Sequence, residues 1–500
     1  MTFQSFSDGV TDRTVPHLHD PIARYAQTSP ERPAVITGER TWTYRQLDGW
    51  ITSIEHRLLG IGCAPETVIA IEAPKTVNTV ALLWAVWRIG GIACPLNTRH
   101  PAERLLTQSR RVGADLLVAH SENVVTQALN ESMRAVALDS LSAEPGETPA
   151  LGEASEMRPT HLPLDARATG VFTSGSTGRP KIAVHTLGNH VYSARGSAEN
   201  IPLGLGDTWL ASLPLYHVGG LAILFRTALA GAAIAMPNPE ASFSQAVIDF
   251  RPTHVSMVAT QLRRLLDAPT ESNVMGSVSA ALIGGSAIPA EFLDRAVSYG
   301  WPVHTSYGST EMSSQITTTP PAADRKTLAT SGFLLPHREL EIREGAIYVR
   351  GRTLFAGYAT NAGATGELDD ARTTGGWFAT GDLGYLDDNG RLCVTGRADR
   401  LIISGGENIQ PEEIEKELER LEGVRRAAVV GVPDEEFGRR PVAFVRWDSG
   451  ADRRDLVPEL RGVLPGYKIP DAIHVMPDSA VAQRMKVDYE VLEAAARKLR

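Results

Sequence analysis

A segment rich in glycine and hydroxyl groups is the part of this 500-residue sequence best suited to bind a charged ligand. It runs from Thr173 to Lys181, reads Thr-Ser-Gly-Ser-Thr-Gly-Arg-Pro-Lys, and follows the apolar run Gly170–Phe172. Its glycines permit close backbone approach, so successive N–H groups can converge on an anion, while the hydroxyls and the lysine add donors and positive charge. The segment predicts a polyphosphate site, and the alternative is an exposed Gly/Ser loop. A Walker A loop is excluded, because Pro180 precedes the lysine.

Two further segments carry groups that suit a nucleotide. Thr305–Glu311 places an aromatic ring before a hydroxyl and a carboxylate, which offer a stacking surface, a phosphate donor and a magnesium ligand. Downstream, the carboxylate of Asp382 is able to accept hydrogen bonds from both hydroxyls of a ribose, and Arg397 follows it. Each segment alone is common in loops, whereas the three together are specific.

Composition and charge describe an enzyme-sized globular chain. The sequence has 49 Lys+Arg against 58 Asp+Glu, a net charge of −9, and 43% hydrophobic residues. A mildly acidic chain lacks the basic surface of a general nucleic-acid binder, and the composition excludes disordered, collagen-like and coiled-coil proteins. We therefore expect local groups, rather than net charge, to hold any anionic ligand.

Cysteine usage and hydropathy predict the compartment. Cys63, Cys94 and Cys393 are widely separated and define neither a disulfide framework nor a metal-binding spacing, which indicates a reducing environment. The N-terminus shows no apolar segment typical of a signal peptide. The most apolar stretch, Val77–Leu96, contains an arginine, two glycines and a proline, and predicts a helix followed by a strand rather than a membrane span. We expect a cytoplasmic protein.

Two regions of the sequence alternate strand-like and helix-like patterns, one from about residue 33 to residue 119 and one after residue 205. In the first, Thr43 and Gln46 form a capping-box pattern that opens an amphipathic helix, and Val68–Ile71 is a short apolar strand. Such βαβ alternation predicts mostly parallel sheets covered by helices. We therefore expect two doubly wound α/β subdomains.

The pattern changes after about residue 330. Strand-like pairs flank Glu344–Gly345 and Asn389–Gly390, which predicts a small antiparallel β unit. A charge-dense segment with helix and strand signals follows Asp399. The sequence thus predicts an N-terminal domain of residues 1–398, which holds both α/β subdomains and the β unit, and an α+β C-terminal domain of residues 399–500.

In their order and spacing these segments resemble the ANL adenylating superfamily, which comprises acyl- and aryl-CoA synthetases, peptide-synthetase adenylation domains and luciferases. The resemblance extends from about Pro21 to about Leu492. It implies an enzyme that uses ATP and magnesium to convert a carboxylic acid to an acyl-adenylate, from which a thiol then displaces AMP. It also implies a C-terminal domain that rotates between the two half-reactions.

The resemblance assigns roles to individual residues of this chain. Thr310 would contact the α-phosphate and Glu311 the magnesium ion. Asp382 and Arg397 would hold the ribose hydroxyls, and Asp399 would be the hinge. The other residues implied to bind ATP, in the phosphate loop and around the adenine, are Thr173, Ser174, Gly175, Ser176, Thr177, Gly178, Lys181, Gly284, Gly285, Ser286, Ser306, Tyr307 and Gly308. The residues implied to contact CoA are Ser404, Gly405 and Gly406.

The family lysine that contacts the carboxylate and the α-phosphate during adenylation falls at Lys486. Most relatives have glycine immediately before this lysine and arginine three residues after it, where this chain has Met485 and Tyr489. Two alternatives stay open: Lys486 is a solvated surface lysine, or Lys468 takes the catalytic role. Lys468 lies in a Pro-Gly-Tyr-Lys-Ile-Pro segment that matches a structural stretch of the family.

Longer runs resemble the subfamily of CoA ligases that act on o-succinylbenzoate, in the menaquinone pathway. These runs are Ala183–Thr186, Ser212–Leu221 with Phe225–Arg226, Thr260–Leu262, Thr310–Gln315 and Ser404–Asn408. The resemblance implies an aromatic diacid whose ring carboxylate does not react. In an apolar pocket that carboxylate needs a cation, for which Arg226 is the candidate.

Four residues are predicted to contact the acid, namely His217, Gly219, Arg226 and Thr260. His217 resembles the gate between the acyl pocket and the tunnel for CoA, although a lone histidine in an apolar stretch is otherwise a core residue. Arg226 is alternatively a snorkelling helix arginine. Relatives often have serine at the position of Gly219, so one hydrogen bond to substrate is not expected here. His185 is interpreted as structural.

Two other functions stay open. The chain could be a ligase for a benzoate, a cinnamate or a fatty acid, or a nucleotide-binding regulator without catalytic activity, which only the context of Lys486 favours. The expected ligands are a carboxylic acid, ATP, magnesium and coenzyme A, with no nucleic acid and no membrane span. CoA is preferred to a carrier domain as acceptor, because the sequence ends at Arg500 without one. The oligomeric state is left open, with a homo-oligomer among the alternatives.

Overall fold

Two compact units make up the computed structural model. It describes residues 16–141, 161–173, 180–267, 276–285, 288–361, 363–404, 407–434, 437–451, 453–480 and 487–499. The first unit contains the chain up to Leu328 together with Leu334–Arg338 and Arg350–Ala371. The second contains Ala329–Phe333, Glu339–Val349 and the chain from Arg372 onward.

The elements alternate as the sequence pattern predicts. In chain order, the helices α1 to α15 are Pro21–Thr28, Tyr44–Gly60, Val77–Arg88, Ala102–Val112, Glu122–Asn130, Leu138–Leu141, Leu187–Asn200, Val218–Ala230, Phe243–Phe250, Ala259–Asp267, Ala290–Ser298, Arg325–Leu328, Pro411–Glu419, Val457–Arg461 and Tyr489–Leu499. The strands β1 to β15 are His17–His19, Pro33–Thr37, Thr41–Thr43, Val68–Glu72, Ile92–Pro95, Leu116–Ala119, Ala135–Ala137, His161–Pro163, Arg167–Thr173, Lys181–Thr186, Thr208–Leu210, Ala233–Met236, His254–Met257, Ala280–Ile283 and Val303–Ser309. The strands β16 to β29 are Ser314–Thr318, Phe333–Leu334, Arg338–Arg343, Ala346–Gly351, Gly357–Thr360, Gly363–Asp369, Arg372–Thr373, Trp377–Leu386, Leu392–Arg397, Ile402–Ser404, Glu407–Ile409, Val424–Asp434, Gly438–Trp447 and Ala472–Val475.

Two large sheets organise the first unit. One has eight strands in the order β21-β20-β10-β9-β5-β4-β6-β7, and the other nine in the order β17-β16-β15-β14-β13-β11-β12-β2-β3. Strand β4 pairs in parallel with β5 and β6, and β13 pairs in parallel with β11 and β14. The predicted α/β fold class with two parallel-sheet subdomains is confirmed.

The predicted capping box at Thr43 and Gln46 is present at the start of α2. The Thr43 side chain accepts from the backbone N–H of Gln46, whose own side chain accepts from the backbone N–H of Thr43, and α2 starts at Tyr44. Thr76 caps α3 in the same way through the N–H of Thr79. Such caps satisfy backbone donors that have no partner within the first turn of a helix.

The second unit contains a small β sheet and a C-terminal α+β segment. In the first hairpin Glu344 and Gly345 both have positive φ, 49° and 80°, as the predicted tight turn requires. Strand β27 carries two cores: Ala427 and Val429 pack with α13, whereas Ala428 and Val430 pack with α15. The predicted domain boundary at residue 399 stays a prediction.

A buried ion cluster joins the first three helices. Arg88, on α3, donates to Asp20 and to Asp48, each at 2.6 Å, and its third nitrogen reaches Thr52 at 3.3 Å. All three charged side chains are buried. Asp20 also caps α1 by accepting from the backbone N–H of Ile22. The cluster therefore fixes three helices against one another.

Among the described residues, no helix is both long and apolar enough to cross a bilayer. The three cysteines are free, with Cys63 and Cys94 buried.

Replacing the arginine of the ion cluster should strongly destabilise the first unit. Arg88→Met removes the cation that contacts both buried carboxylates, and removing one partner of a buried pair typically costs about 3–5 kcal/mol. Arg45→Met is the control, because Arg45 pairs with Glu31 at 3.1 Å on the exposed surface, where such pairs contribute about 0–1 kcal/mol. Urea unfolding should show a large loss for Arg88→Met only. Equal losses of unfolding free energy for the two variants would contradict the stabilising role of the buried ion cluster.

Candidate nucleotide and acyl site

The predicted phosphate segment lies between two paired strands. Strands β9 and β10 are antiparallel, and their register places Thr173 opposite Lys181. The ammonium of Lys181 lies 4.5 Å from the centroid of the Tyr358 ring. The predicted phosphate-loop residues between the strands lie outside the described residues: Ser174, Gly175, Ser176, Thr177 and Gly178.

The residues predicted to surround the adenine meet where the parallel strands β14 and β15 end. A Cβ placed on Gly284 would lie 2.7 Å from Oγ of Ser306, so this position needs a glycine. The hydroxyl of Ser306 donates to the carbonyl of Ile283 at 3.2 Å. Tyr307 follows in β15, paired with Thr317. The carboxyl ends of parallel strands are the usual place for a ligand in α/β sheets.

Three other residues complete that predicted set. A Cβ on Gly308 would lie 1.9 Å from the carbonyl oxygen of Ser314, so the close pairing of β15 and β16 requires a glycine. Gly285 has a φ of +85°, a conformation that favours glycine. Ser286 lies outside the described residues.

The Thr310–Glu311 turn accepts hydrogen bonds from β10 and from the segment around β20. The Nε2–H of His185 donates to the carbonyl of Thr310 at 2.7 Å. The N–H of Phe355 donates to the carbonyl of Glu311 at 2.7 Å. The hydroxyl of Tyr358 donates to Oε1 of the Glu311 carboxylate, also at 2.7 Å. The predicted phosphate and magnesium contacts therefore lie on a turn fixed through both backbone and side chain.

A chain of buried groups fixes the tautomer of His185. Because Nε2 donates to a carbonyl, Nδ1 is the acceptor, and the Thr169 hydroxyl lies 3.4 Å from it. His190 Nε2 lies 2.8 Å from that hydroxyl, within hydrogen-bond distance. Burial lowers the pKa of His185 to about 4 and lowers the pKa of His190 well below its usual value. Both rings are therefore neutral at pH 7, and the orientation of His185 is determined.

In the second unit, the predicted ribose residues and hinge form one ion-pair group. Asp382 and Arg397 are opposite one another in the β23–β24 pair, and their side chains meet at 3.0 Å. Arg397 also contacts Asp399 at 3.0 Å. The hydrogen bonds that Arg397 donates to Asp399, together with the charge of Asp382, raise the pKa of Arg397. The structure thus brings these three residues together, and their roles stay predictions.

The acyl segment begins in a loop that leads into α8. His217 is exposed at the N-terminal cap of the helix and does not lie in the core, and its ring is 4.8 Å from that of Tyr216. A Cβ on Gly219 would lie 3.0 Å from Cδ1 of Leu213, so a larger residue here would press on that leucine. Gly220 is more restricted, because its Cβ would lie 2.1 Å from the carbonyl of Pro214.

Arg226 is a buried cation in the middle of α8. Only 4% of the residue is exposed. Its guanidinium donates to Oε1 of Gln315 at 2.6 Å and lies 5.0 Å from the centroid of the Trp209 ring. Within the described part of the chain its Nε has no hydrogen-bond partner and no ion pair joins it to a carboxylate. Burial lowers the pKa of Arg226 to about 10, so the group is still charged at pH 7. This geometry differs from snorkelling, which would place the guanidinium in water.

A second buried arginine approaches the same glutamine. Arg338 donates to the carbonyl of Gln315 at 2.7 Å and to the carbonyl of Pro336 at 2.6 Å. Its third nitrogen reaches the carbonyl and the hydroxyl of Ser193. Burial, followed by the charge of Arg226, lowers the pKa of Arg338 to about 9. Two buried guanidinium groups thus contact the same residue, one through its side-chain amide and the other through its backbone carbonyl.

The remaining predicted residues are spread over both units. Thr260 is half-buried near the start of α10, directly after β13. Ser404 is buried at the end of β25, with Arg440 3.4 Å from its hydroxyl. Lys468 pairs with Glu413 at 2.6 Å, which favours its structural interpretation. Gly405, Gly406 and Lys486 lie outside the described residues.

Magnesium is the metal that the site chemistry would suit. No cluster of three or more His, Cys, Asp or Glu side chains suited to a metal ion occurs among the described residues. Magnesium usually binds through one or two carboxylates together with substrate phosphates, rather than in a cage of protein groups. A single carboxylate at Glu311, connected through Tyr358 to Lys181, fits this mode of binding.

Four residues near the predicted site are not identified by the sequence patterns, namely His185, Gln315, Arg338 and Tyr358. The sequence indicates only a structural role for His185, because its contact with Thr310 joins residues 125 positions apart. Gln315 and Arg338 become notable only once Arg226 is seen to be buried. The Gly-Tyr pair at Tyr358 shows no chemical pattern in the sequence, although an aromatic next to a glycine in a strand is a signal for close packing.

The comparisons with known proteins agree with this fold. The family model of AMP-binding enzymes matches residues 22–359, and the model of the AMP-binding enzyme C-terminal domain matches residues 413–483. The chain belongs to the family of AMP-binding enzymes, which confirms the resemblance to adenylating enzymes inferred from its motifs.

Particular relatives narrow the similarity. The 2-succinylbenzoate–CoA ligase of Bacillus mycoides is 33% identical over 465 residues, covering 90% of this chain and 92% of that protein. The corresponding ligase of Geobacillus is 32% identical over 467 residues, covering 91% and 92%. The o-succinylbenzoate CoA synthetase of Bacillus subtilis, in complex with the acyl-adenylate intermediate OSB-AMP, is 30% identical with a TM-score of 0.84, covering 96% and 98%.

Removing the His185 donor should weaken ATP binding. His185→Leu leaves the carbonyl of Thr310 unsatisfied, and an unpaired buried polar group costs about 1–3 kcal/mol, or roughly tenfold in affinity. The control is His254→Leu, because His254 is also buried and bonds a carbonyl, that of Pro202, at 3.0 Å. Both variants should unfold at lower temperature. Calorimetry should show weaker ATP binding for His185→Leu alone, and equal ATP binding in the two variants would contradict the positioning role.

Proposed function

We propose that this chain is an ATP-dependent, AMP-forming CoA ligase that converts 2-succinylbenzoate first to its acyl-adenylate and then to its CoA thioester. Family membership supports the adenylating chemistry. The relatives of similar length and the B. subtilis complex support the substrate. The one observation of this chain that carries the choice of substrate is the buried, incompletely paired Arg226.

The charge of Arg226 favours a diacid over a simple acid. An isolated buried cation is costly unless it is paired, and within the described residues Arg226 has one neutral amide partner. 2-Succinylbenzoate reacts at its succinyl carboxylate and retains a second carboxylate on the ring. Pairing that carboxylate with Arg226 would compensate both buried charges. A benzoate or a fatty acid brings no second anion and leaves the cation uncompensated.

The residues of the first unit suit the adenylation step. A carboxylate attacks the α-phosphorus of ATP and expels pyrophosphate, and repulsion between these anions is the main barrier. Lys181 and the backbone of the phosphate segment would hold the β- and γ-phosphates, while Thr310 would contact the α-phosphate. Magnesium, when bound at Glu311, neutralises charge on the phosphates. The B. subtilis synthetase has been crystallised in complex with ATP and magnesium ion.

The thioester step needs a second arrangement of groups. CoA would enter past His217, which the structure leaves exposed at the start of α8. Ser404 and the two glycines after it would line the CoA path. Asp399 would be the pivot that exchanges the adenylation lysine, Lys486, for these CoA contacts. Asp382 and Arg397 would hold the ribose in both steps.

A substrate panel tests the proposal. Pyrophosphate release and CoA thioester formation should be measured with 2-succinylbenzoate, benzoate, cinnamate and a fatty acid. We expect 2-succinylbenzoate to have the highest kcat/KM and to give a thioester that depends on ATP, magnesium and CoA. A higher kcat/KM for another acid would overturn the substrate, and ATP binding without turnover of any acid would indicate a regulator.

Lys486→Ala should separate the two half-reactions. The family uses this lysine in one domain orientation only, so adenylate formation should be abolished while thioester formation from a pre-made adenylate is largely retained. Lys468→Ala is the control, and it should retain both reactions, because Lys468 is paired with Glu413. Equal loss of both half-reactions in Lys486→Ala would show that the lysine is not specific to one orientation.

Arg226→Gln should lower kcat/KM for the diacid selectively. Breaking a buried hydrogen-bonded charge pair costs about 2–5 kcal/mol, whereas 4-oxo-4-phenylbutanoate, which lacks the ring carboxylate, has no pair to lose. KM for ATP should hardly change. The control is Arg167→Gln, because Arg167 bonds the carbonyls of Ala364 and Gly366, each at 2.8 Å. Equal losses for the diacid and the mono-acid would refute the pairing.

A further inference from the structure

We propose that Tyr358 is a positioning residue that orients the magnesium-binding carboxylate of Glu311 and the ammonium of Lys181 at the same time. This inference rests on the proposed function, because that function makes Glu311 the magnesium ligand and Lys181 a phosphate contact. No resemblance or motif assigns a role to Tyr358.

Tyr358 contacts both nucleotide segments directly. Its hydroxyl donates to Oε1 of Glu311 at 2.7 Å, and the face of its ring lies 4.5 Å from Nζ of Lys181. Lys181 is the last residue of the phosphate segment. Glu311 lies in the turn after β15, 130 positions further along the chain. One side chain thus connects two segments that the sequence keeps far apart.

The surrounding strands hold the Tyr358 ring in one place. Strand β20 pairs with β10, with Tyr358 opposite Ala183, so that Lys181 lies two residues along on the same face. The ring packs edge-on against Phe355 at 4.7 Å, and only 8% of the tyrosine is exposed. The preceding residue, Gly357, has a φ of +152°, and a Cβ there would lie 2.9 Å from the carbonyl of Asp369. The tyrosine therefore has little freedom to move away.

Glu311 is held at two points by the same short segment. The N–H of Phe355 fixes its carbonyl and the hydroxyl of Tyr358 fixes one oxygen of its carboxylate. The second carboxylate oxygen then has a defined direction in which to bind a cation. Partners that orient a metal-binding carboxylate in this way typically contribute a factor of about 10–100 to metal affinity.

The aromatic ring provides the second function. An ammonium above the face of a tyrosine ring is attracted by the ring quadrupole. Lys181 is exposed, so without this contact its long side chain would sample many rotamers. The ring therefore keeps the lysine beside the carboxylate that binds magnesium, where both can act on the same triphosphate.

Two substitutions separate the hydroxyl from the ring. Tyr358→Phe keeps the ring and removes the donor, so we expect ATP affinity without magnesium to be unchanged and the gain in affinity on adding magnesium to fall about tenfold. Tyr358→Leu removes both, so it should also weaken magnesium-free ATP binding by about two- to tenfold. Titration calorimetry of ATP, with magnesium and with EDTA, measures both quantities independently of turnover.

Tyr192→Phe is the matched control. The hydroxyl of Tyr192 accepts a hydrogen bond from Arg352 at 2.6 Å in an exposed position, away from the predicted nucleotide segments. This variant should bind ATP as the parent does under both conditions. Thermal unfolding should confirm that all three variants fold.

Two outcomes would overturn the inference while the parent protein forms the adenylate. The gain in ATP affinity on adding magnesium to Tyr358→Phe could equal that of the parent, or it could exceed it. An equal gain with ATP affinity lowered by the same factor under both conditions would show a structural role only. Failure of the proposed function would give a different result, because the parent protein itself would then form no adenylate from any acid of the panel.

Discussion

A positive charge buried in a largely apolar helix is the constraint around which the predicted acyl site is arranged. Arg226 lies in α8 among mostly hydrophobic residues, and the described residues provide it with the amide of Gln315 and the ring of Trp209. Arg338 binds the backbone of the same glutamine, which adds a second buried positive charge. Such an arrangement is stable only if other interactions compensate for desolvation, and an anionic substrate would relieve it. The residues that would bind the ring carboxylate therefore carry a desolvation cost that this carboxylate would offset.

The predicted nucleotide site depends on hydrogen bonds between segments that are distant in sequence. The turn after β15 receives hydrogen bonds from β10, through His185, and from the residues around β20, through Phe355 and Tyr358. Since β20 and β10 are neighbours in the eight-stranded sheet, whereas β15 lies in the nine-stranded sheet, these bonds join the two sheets of the first unit at the predicted phosphate and magnesium contacts. The buried, neutral histidines suit this role, because a charged ring would be costly there. The geometry of the predicted site thus depends on both sheets rather than on a single loop.

Sequence reasoning predicted the features that depend on local patterns. The capping box at Thr43, the parallel strands and the turn at Glu344–Gly345 are determined by neighbouring residues, and each is present. The nucleotide motifs could be found because several chemical groups occur together within a few residues. Tyr358 and Arg338 could not be found in this way, since their partners lie 47 and 23 positions away and the pairings exist only after the sheets have formed. Gly219 shows the opposite case, in which a deviation seen in the sequence gains a steric reason from Leu213.

The position of the substrate's second carboxylate is the most direct test of this account. The measurement is a crystal structure of the protein with a non-hydrolysable mimic of the 2-succinylbenzoyl adenylate. The account predicts a ring carboxylate oxygen within about 3 Å of the Arg226 guanidinium, the usual length of a charge-assisted hydrogen bond. A ring carboxylate that faces solvent or binds a different cation, with Arg226 still bound only to Gln315, would contradict it.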